Sequence, residues 1–130
     1  MEGKLRKIAV IDDDYNLRKL VTNVVEREIG VAAVSFPPML ELITIFKENK
    51  FDLLIIDYLM PNIDGLELIL NFLSENNKIP VILTTGYPDI EQVQVLKNNE
   101  QKWNIRCLKK PFSIEEMLRM VKDALTAGGK

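Results

Sequence analysis

Short apolar runs alternate along this chain with longer amphipathic ones, and that rhythm narrows the possible folds to very few. Ile8 to Ile11, Leu53 to Ile56 and Val81 to Leu83 are continuous apolar runs, the pattern of strands buried on both faces of a parallel sheet. Ala32 to Phe36, closed by Pro37-Pro38, and Ile105 to Leu108, interrupted by Arg106, are weaker strands. Between them lie segments with helical spacing of apolar residues. Tyr15 to Glu28 carries Leu17, Leu20, Val21, Val24 and Val25 on one face. Met39 to Glu48 and Leu66 to Glu75 are the second and third helices, with a turn expected from Pro61 to Gly65. A fourth helix is expected from Ile90 to about Asn99, on a thin apolar face. Ser113-Ile114-Glu115-Glu116 is a capping box opening a fifth helix, with Met117, Leu118, Val121 and Leu125 on its buried side. Five strand-helix units in strict alternation imply an α/β, doubly wound parallel sheet with helices on both faces.

With 130 residues, the chain has the length of one ordinary domain. Its formal net charge of -2 argues against nucleic acid as a direct partner, because phosphate binding needs a basic excess. One cysteine and no histidine exclude a disulfide framework, an imidazole zinc site and a Ser-His triad. Any phosphoryl or proton chemistry must then run on carboxylates, hydroxyls and lysines. No apolar stretch is long enough to span a bilayer and no signal-peptide pattern opens the sequence, so the expectation is a cytoplasmic protein without membrane contact.

In an open α/β sheet, ligands bind where the strands end. After the first strand comes Asp12-Asp13-Asp14. Carboxylates packed together there would repel by about 4 kcal/mol per pair at ~4 Å and an effective dielectric of ~20. A hard cation would relieve that repulsion, and oxygen-only ligands favour Mg²⁺ or Ca²⁺. The same run would also serve as a solvated helix start, since Asp is a good N-cap. The segment by itself leaves both open. After the third strand comes Asp57; after the fourth, Thr84, Thr85 and Gly86; after the fifth, Lys109 and Lys110. Parallel strands put these ends on one edge, so the groups converge. Together they suit a Mg²⁺ site beside a phosphoryl group, with Asp57 as a nucleophile able to form an aspartyl phosphate.

Four segments in order, Ile11-Asp12-Asp13-Asp14, Asp57-Tyr58-Leu59-Met60-Pro61 with Asp64-Gly65, Pro80 to Gly86, and Lys110-Pro111-Phe112, give a sequence that resembles the receiver domain of two-component response regulators. The resemblance runs from about Lys7 to the end of the fifth helix and implies a CheY-like, flavodoxin-like fold with strand order 2-1-3-4-5. It implies one receiver domain over residues 1–130, with its core at about 7–126. Asp57 becomes the phosphoacceptor. Asp12 and Asp13 become ligands of Mg²⁺ (or Mn²⁺), completed by Asp57 and the backbone carbonyl of Leu59, while Asp14 reverts to a helix cap. Thr85, favoured over Thr84 by strand parity, would bind a phosphoryl oxygen. Lys110, marked by the following Pro111, would pair with the phosphoryl group, and the bond between them is expected to be cis.

The implied partners are a sensor histidine kinase or phosphotransfer protein and a downstream effector, reached through the face of the fourth helix, fifth strand and fifth helix; a phosphorylation-dependent homodimer stays open. The role implied is signalling, not turnover. Either a stand-alone receiver or one piece of a longer chain fits the sequence. Two departures stand out. Cys107 occupies the position where receivers usually carry an aromatic switch residue, and the segment from Thr85 to Lys110 is about three residues longer than usual. Competing functions fit less well. An aspartyl-phosphate phosphatase normally wants a second carboxylate two residues after the nucleophile, where this chain has Leu59. A flavin binder wants hydroxyls and free N–H groups, not three acids, in its first loop. A pseudo-receiver acting only by protein contact would not need the full set of acids, threonine and lysine.

Overall fold

The structure is a computed structural model that describes residues 6–60, 63–75, 79–86, 96, 98 and 102–128. Its centre is a parallel sheet of β1 (Lys7–Ile11), β2 (Ala32–Phe36), β3 (Leu53–Asp57), β4 (Val81–Thr85) and β5 (Ile105–Lys109), in the order β2-β1-β3-β4-β5. The α/β doubly wound class and the order 2-1-3-4-5 are therefore observed. Every residue of β3 and β4 is buried, as their unbroken apolar sequence requires. The flanking strands β2 and β5 are partly exposed, which explains their weaker pattern. The strands outlast their apolar runs: the last rungs pair Asp57 with Thr84 and Thr85 with Lys109. Asp57, Thr84 and Thr85 thus sit on the ladder's final steps.

Alternate strand residues feed two cores. On one face, α1 (Tyr15–Glu28) and the C-terminal helix (Ile114–Gly128) pack Val21, Val25, Met117 and Val121 against Ile8, Val10, Ile55 and Ile82. On the other, α2 (Leu42–Glu48) and α3 (Gly65–Glu75) pack Leu42, Phe46, Ile69 and Phe72 against Ala9, Ile11, Leu54 and Ile56. Phe72 is 1% exposed and meets Phe46 edge-on at 4.9 Å.

Local chemistry sets the boundaries. Asp14 caps α1, its carboxylate accepting from the Leu17 N–H at 3.1 Å. Gly30, at φ +80, closes that helix with its N–H shared between the Val25 and Glu26 carbonyls. The Ser113 capping box forms in both directions: Ser113 Oγ accepts from Glu116 N–H at 3.0 Å, and Glu116 Oε1 accepts from Ser113 N–H at 2.8 Å. Asp52, which opens β3, accepts from the Lys7 N–H and donates its own N–H to the Lys7 carbonyl, each at 2.8 Å, and so fastens the entry of β1. At the sheet's edge, Glu26 accepts the Ala33 N–H of β2 at 3.0 Å.

Two expected boundaries differ. The second helix begins at Leu42, not Met39, because Glu41 at its N-cap makes no side-chain cap. A tight turn leads in instead, with Leu42 N–H bonded to the Met39 carbonyl and Ile43 N–H to that of Leu40. The stretch expected as a turn is partly strand: Leu59–Met60 pair antiparallel with Ile63–Asp64, and Gly65 already belongs to α3. Met60, 8% exposed, faces Ile63 across that short ladder. Of the expected fourth helix, Leu96 and Asn98 are helical and the remainder lies outside the described residues, as does Tyr87. No helix among the described residues is long and apolar enough to cross a membrane.

Candidate functional site

Neighbouring strands β1 and β3 deliver the acids to one point. Asp12 and Asp13 follow the last residue of β1, while Asp57 is itself the last residue of β3. One ligand atom from each of Asp12, Asp13 and Asp57 lies within 4.8 Å of the others. Asp12 and Asp57 are 4% and 5% exposed, whereas Asp13 is open to solvent. Across the pocket Lys110 Nζ stands 3.1 Å from Asp12 Oδ2 and 3.2 Å from Asp57 Oδ2. It directly follows the last residue of β5 and precedes the cis Lys110-Pro111 bond.

Main-chain bonds hold this arrangement from behind. The other Asp12 oxygen, Oδ1, accepts from the Asp14 N–H at 2.8 Å, and the Asp12 carbonyl accepts from Arg18 Nη1 at 3.0 Å. The end of β4 ties in both reactive segments. Its Thr84 carbonyl accepts the Tyr58 N–H at 2.9 Å, and its Thr85 carbonyl accepts the Lys110 N–H at 2.7 Å. Thr84 shares a void of about 10 Å³ with Asp12, Arg18 and Phe112 on the α1 face. Thr85, 1% exposed, is the next residue and ends the strand beside Lys109. Leu59, two residues past Asp57, leaves its side chain 64% exposed over the short ladder opposite Asp64. Cys107 is partly buried and packs against the core on the α2–α3 side.

The electrostatics follow from crowding. Burial, then the neighbouring Asp12 and to a lesser degree Asp13, push the Asp57 carboxyl above its ordinary value, against the pull of Lys110. For Lys110, burial alone would lower the ammonium, but Asp12 and Asp57 outweigh it and hold the group above the usual lysine value. Three carboxylates thus face one ammonium, an excess of negative charge in a pocket of oxygen donors. Those donors fit a hard divalent cation, Mg²⁺ or Mn²⁺, and the exposed side at Asp13 leaves room for its waters.

The sequence pointed to Asp12, Asp13, Asp57 and Lys110, and the structure brings all four together; it places Thr85 and Leu59 within one or two residues of them on the same edge. Arg18, the Asp14 N–H and the Thr84 carbonyl were not anticipated. The available signal for Arg18 was the helix start at Tyr15, which puts residue 18 in the first turn, above the end of β1.

A doubly wound parallel sheet with an acid-and-lysine pocket at its strand ends defines a flavodoxin-like α/β protein. The sequence profile described as "Response regulator receiver domain" matches residues 8–122, and the chain belongs to that family. Receiver domains are the phosphoacceptor signalling modules of two-component systems. The chain is 29% identical over 117 residues to the DNA-binding transcriptional regulator NtrC of Proteus hauseri, covering 90% of this chain and 24% of that protein. It is 28% identical over 119 residues to sporulation initiation phosphotransferase F of Bacillus subtilis, covering 92% and 93%. The chain therefore spans about a quarter of the first relative's length and nearly all of the second's. Among solved structures, the receiver domain of Francisella response regulator 1452 superposes with a TM-score of 0.77 at 25% identity, covering 94% of this chain and 98% of that one. A CheY-like receiver from Methanospirillum hungatei, at 22% identity, shares the fold with a TM-score of 0.82 over 97% and 98% of the two chains.

Proposed function

We propose that Asp57 accepts a phosphoryl group from the phosphohistidine of a sensor kinase or phosphotransfer protein, and that a divalent cation, Mg²⁺ or Mn²⁺, is required. The observation that carries this reading is the position of Asp57: buried, on the last rung of β3, with Lys110 Nζ at 3.2 Å and two further carboxylates within 4.8 Å. An Asp57 oxygen attacks phosphorus, an O–P bond forms, and the donor's P–N bond breaks; the imidazole leaves with the electron pair and takes up a proton. Asp12, Asp13, Asp57 and the Leu59 carbonyl are the proposed metal ligands. The bound cation would offset the charge that the carboxylates and the phosphoryl oxygens bring together.

Lys110, already charged and held between Asp12 and Asp57, pairs with a phosphoryl oxygen once one arrives. The Thr85 hydroxyl binds another, and its carbonyl bond to Lys110 keeps the two groups in step. Partner affinity then changes at the surface of the fourth helix, β5 and the C-terminal helix. On β5 and the C-terminal helix, a groove of about 330 Å³ lies between Arg106 and Leu108 on one side and Glu116, Arg119, Met120 and Asp123 on the other. The domain signals from the cytoplasm and assists its own phosphorylation without turning over a substrate.

Acetyl phosphate with Mg²⁺, followed by intact-mass measurement, tests this directly. The wild type should gain one phosphoryl group, and Asp57→Asn should gain none. No added mass on the wild type, or undiminished labelling of the variant, would overturn the assignment.

A further inference from the structure

Asp12 is held at three of its atoms. The Asp14 N–H fixes Oδ1, Lys110 meets Oδ2, and Arg18 grips the main-chain carbonyl at 3.0 Å. The first two contacts lie in or beside the acidic pocket; Arg18 reaches Asp12 from the helix side. Its own N–H closes the first turn of α1 on the Asp14 carbonyl at 3.0 Å. One residue therefore bonds the main chain at both ends of the Asp12–Asp14 segment. The guanidinium lies 5.1 Å from the centre of the Tyr15 ring, within reach of a cation–π contact. The space beside it is a void of about 10 Å³ lined by Asp12, Leu17, Arg18 and Thr84.

We infer that Arg18, braced by Tyr15, is a positioning residue that sets the direction of the Asp12 carboxylate toward the divalent cation. The inference rests on the phosphoacceptor reading above for the identity of the site. It concerns how the carboxylate is aimed and adds no ligand, since a guanidinium has no lone pair to offer a metal. Partners that orient a metal ligand typically contribute about 10- to 100-fold to metal affinity. The sign of the effect separates positioning from charge. A cation this close repels a divalent metal, so if charge were all that mattered, removing Arg18 would tighten binding. If positioning dominates, removal weakens it.

The experiment is calorimetric titration of the purified domain with MgCl₂, beside hydrogen exchange of the metal-free protein. Arg18→Met should bind Mg²⁺ about 10-fold more weakly. Arg18→Lys, which keeps charge and a donor, should recover part of the loss, and Tyr15→Leu should lose a smaller part by freeing the guanidinium. In the metal-free Arg18→Met protein the Asp14 amide should exchange faster while the β3 amides are unchanged. Unchanged or tighter Mg²⁺ affinity in Arg18→Met, or an Asp14 amide that exchanges as in the wild type, overturns the inference. Should Arg18→Met fold poorly, Arg18→Lys and Tyr15→Leu decide by the same readouts. A wild type that neither binds Mg²⁺ nor accepts a phosphoryl group overturns the phosphoacceptor reading instead, and the exchange arm, which needs no metal, still judges Arg18.

Discussion

Removing the proposed nucleophile should make the metal-free protein more stable. In Asp57→Asn the pocket keeps its shape and loses one negative charge. The three carboxylates place ligand atoms within 4.8 Å of one another, and two unit charges at that distance repel by about 3.5 kcal/mol at an effective dielectric of ~20. Lys110, 3.2 Å from Asp57, attracts by about 5 kcal/mol on the same scale. Asp13 is exposed, so solvent screens much of its share, but burying the Asp57 charge carries a penalty of its own. The raised Asp57 carboxyl says which side wins: burial and Asp12 outweigh Lys110. Lys110 in the variant still has Asp12 at 3.1 Å, so no buried cation is orphaned. A gain on the order of 1–2 kcal/mol corresponds to a rise in Tm of roughly 3–10 °C for a domain of this size.

The same cause fixes the pH dependence. A carboxyl whose value is raised by folding favours the folded state fully below its ordinary value of 3.8, and that contribution is lost as pH climbs through the folded-state value. The wild type should therefore fall behind Asp57→Asn as pH rises from acid toward neutral. Thermal melts by circular dichroism in chelator at low salt, from pH 3.5 upward, measure the gap, and adding Mg²⁺ should narrow it by stabilising the wild type. An Asp57→Asn protein that melts at or below the wild-type temperature at neutral pH refutes the reasoning, as does a gap indifferent to pH.

Three further outcomes follow from local structure. Gly30→Ala forces an L side chain into φ +80 where nothing lies within 4 Å of the new Cβ, so chemical denaturation should show a loss of about 1–2 kcal/mol from backbone strain alone. Ser113→Ala breaks the capping box and should cost about 1 kcal/mol, with hydrogen exchange rising first at the start of the C-terminal helix. Phosphorylated protein should lose its phosphoryl group slowly, because the exposed Leu59 side chain offers an attacking water no polar partner; a half-life of seconds at neutral pH, read by intact mass, contradicts this.

Much of the fold was legible because β1, β3 and β4 are covered on both faces and leave unbroken apolar runs. Ser113 and Glu116 announced their helix because side-chain caps are spelled in the sequence. The start of α2 was not, since main-chain turns do that work and no capping residue marks it. Nor was the ladder of Leu59–Met60 with Ile63–Asp64, because strands of two residues have no periodicity to read. In the site, the acids and Lys110 were legible as polar residues at or just past the ends of the apolar runs. Arg18 and the bonds that tie the end of β4 to Tyr58 and Lys110 were hidden because they run through the carbonyls of Asp12, Thr84 and Thr85. Every residue has a carbonyl, so the sequence carries no letter for that contact.

The bond from Ala33 to Glu26 has a bearing on how copies of this protein meet. An outer strand with idle amides is a template on which another chain can zip, extending one sheet into the next. Ala33 instead gives its amide to a carboxylate from α1, and an incoming strand would have to displace a charged side chain to reach that rung. Crowded copies are thus discouraged from pairing backbone to backbone at that rung of β2.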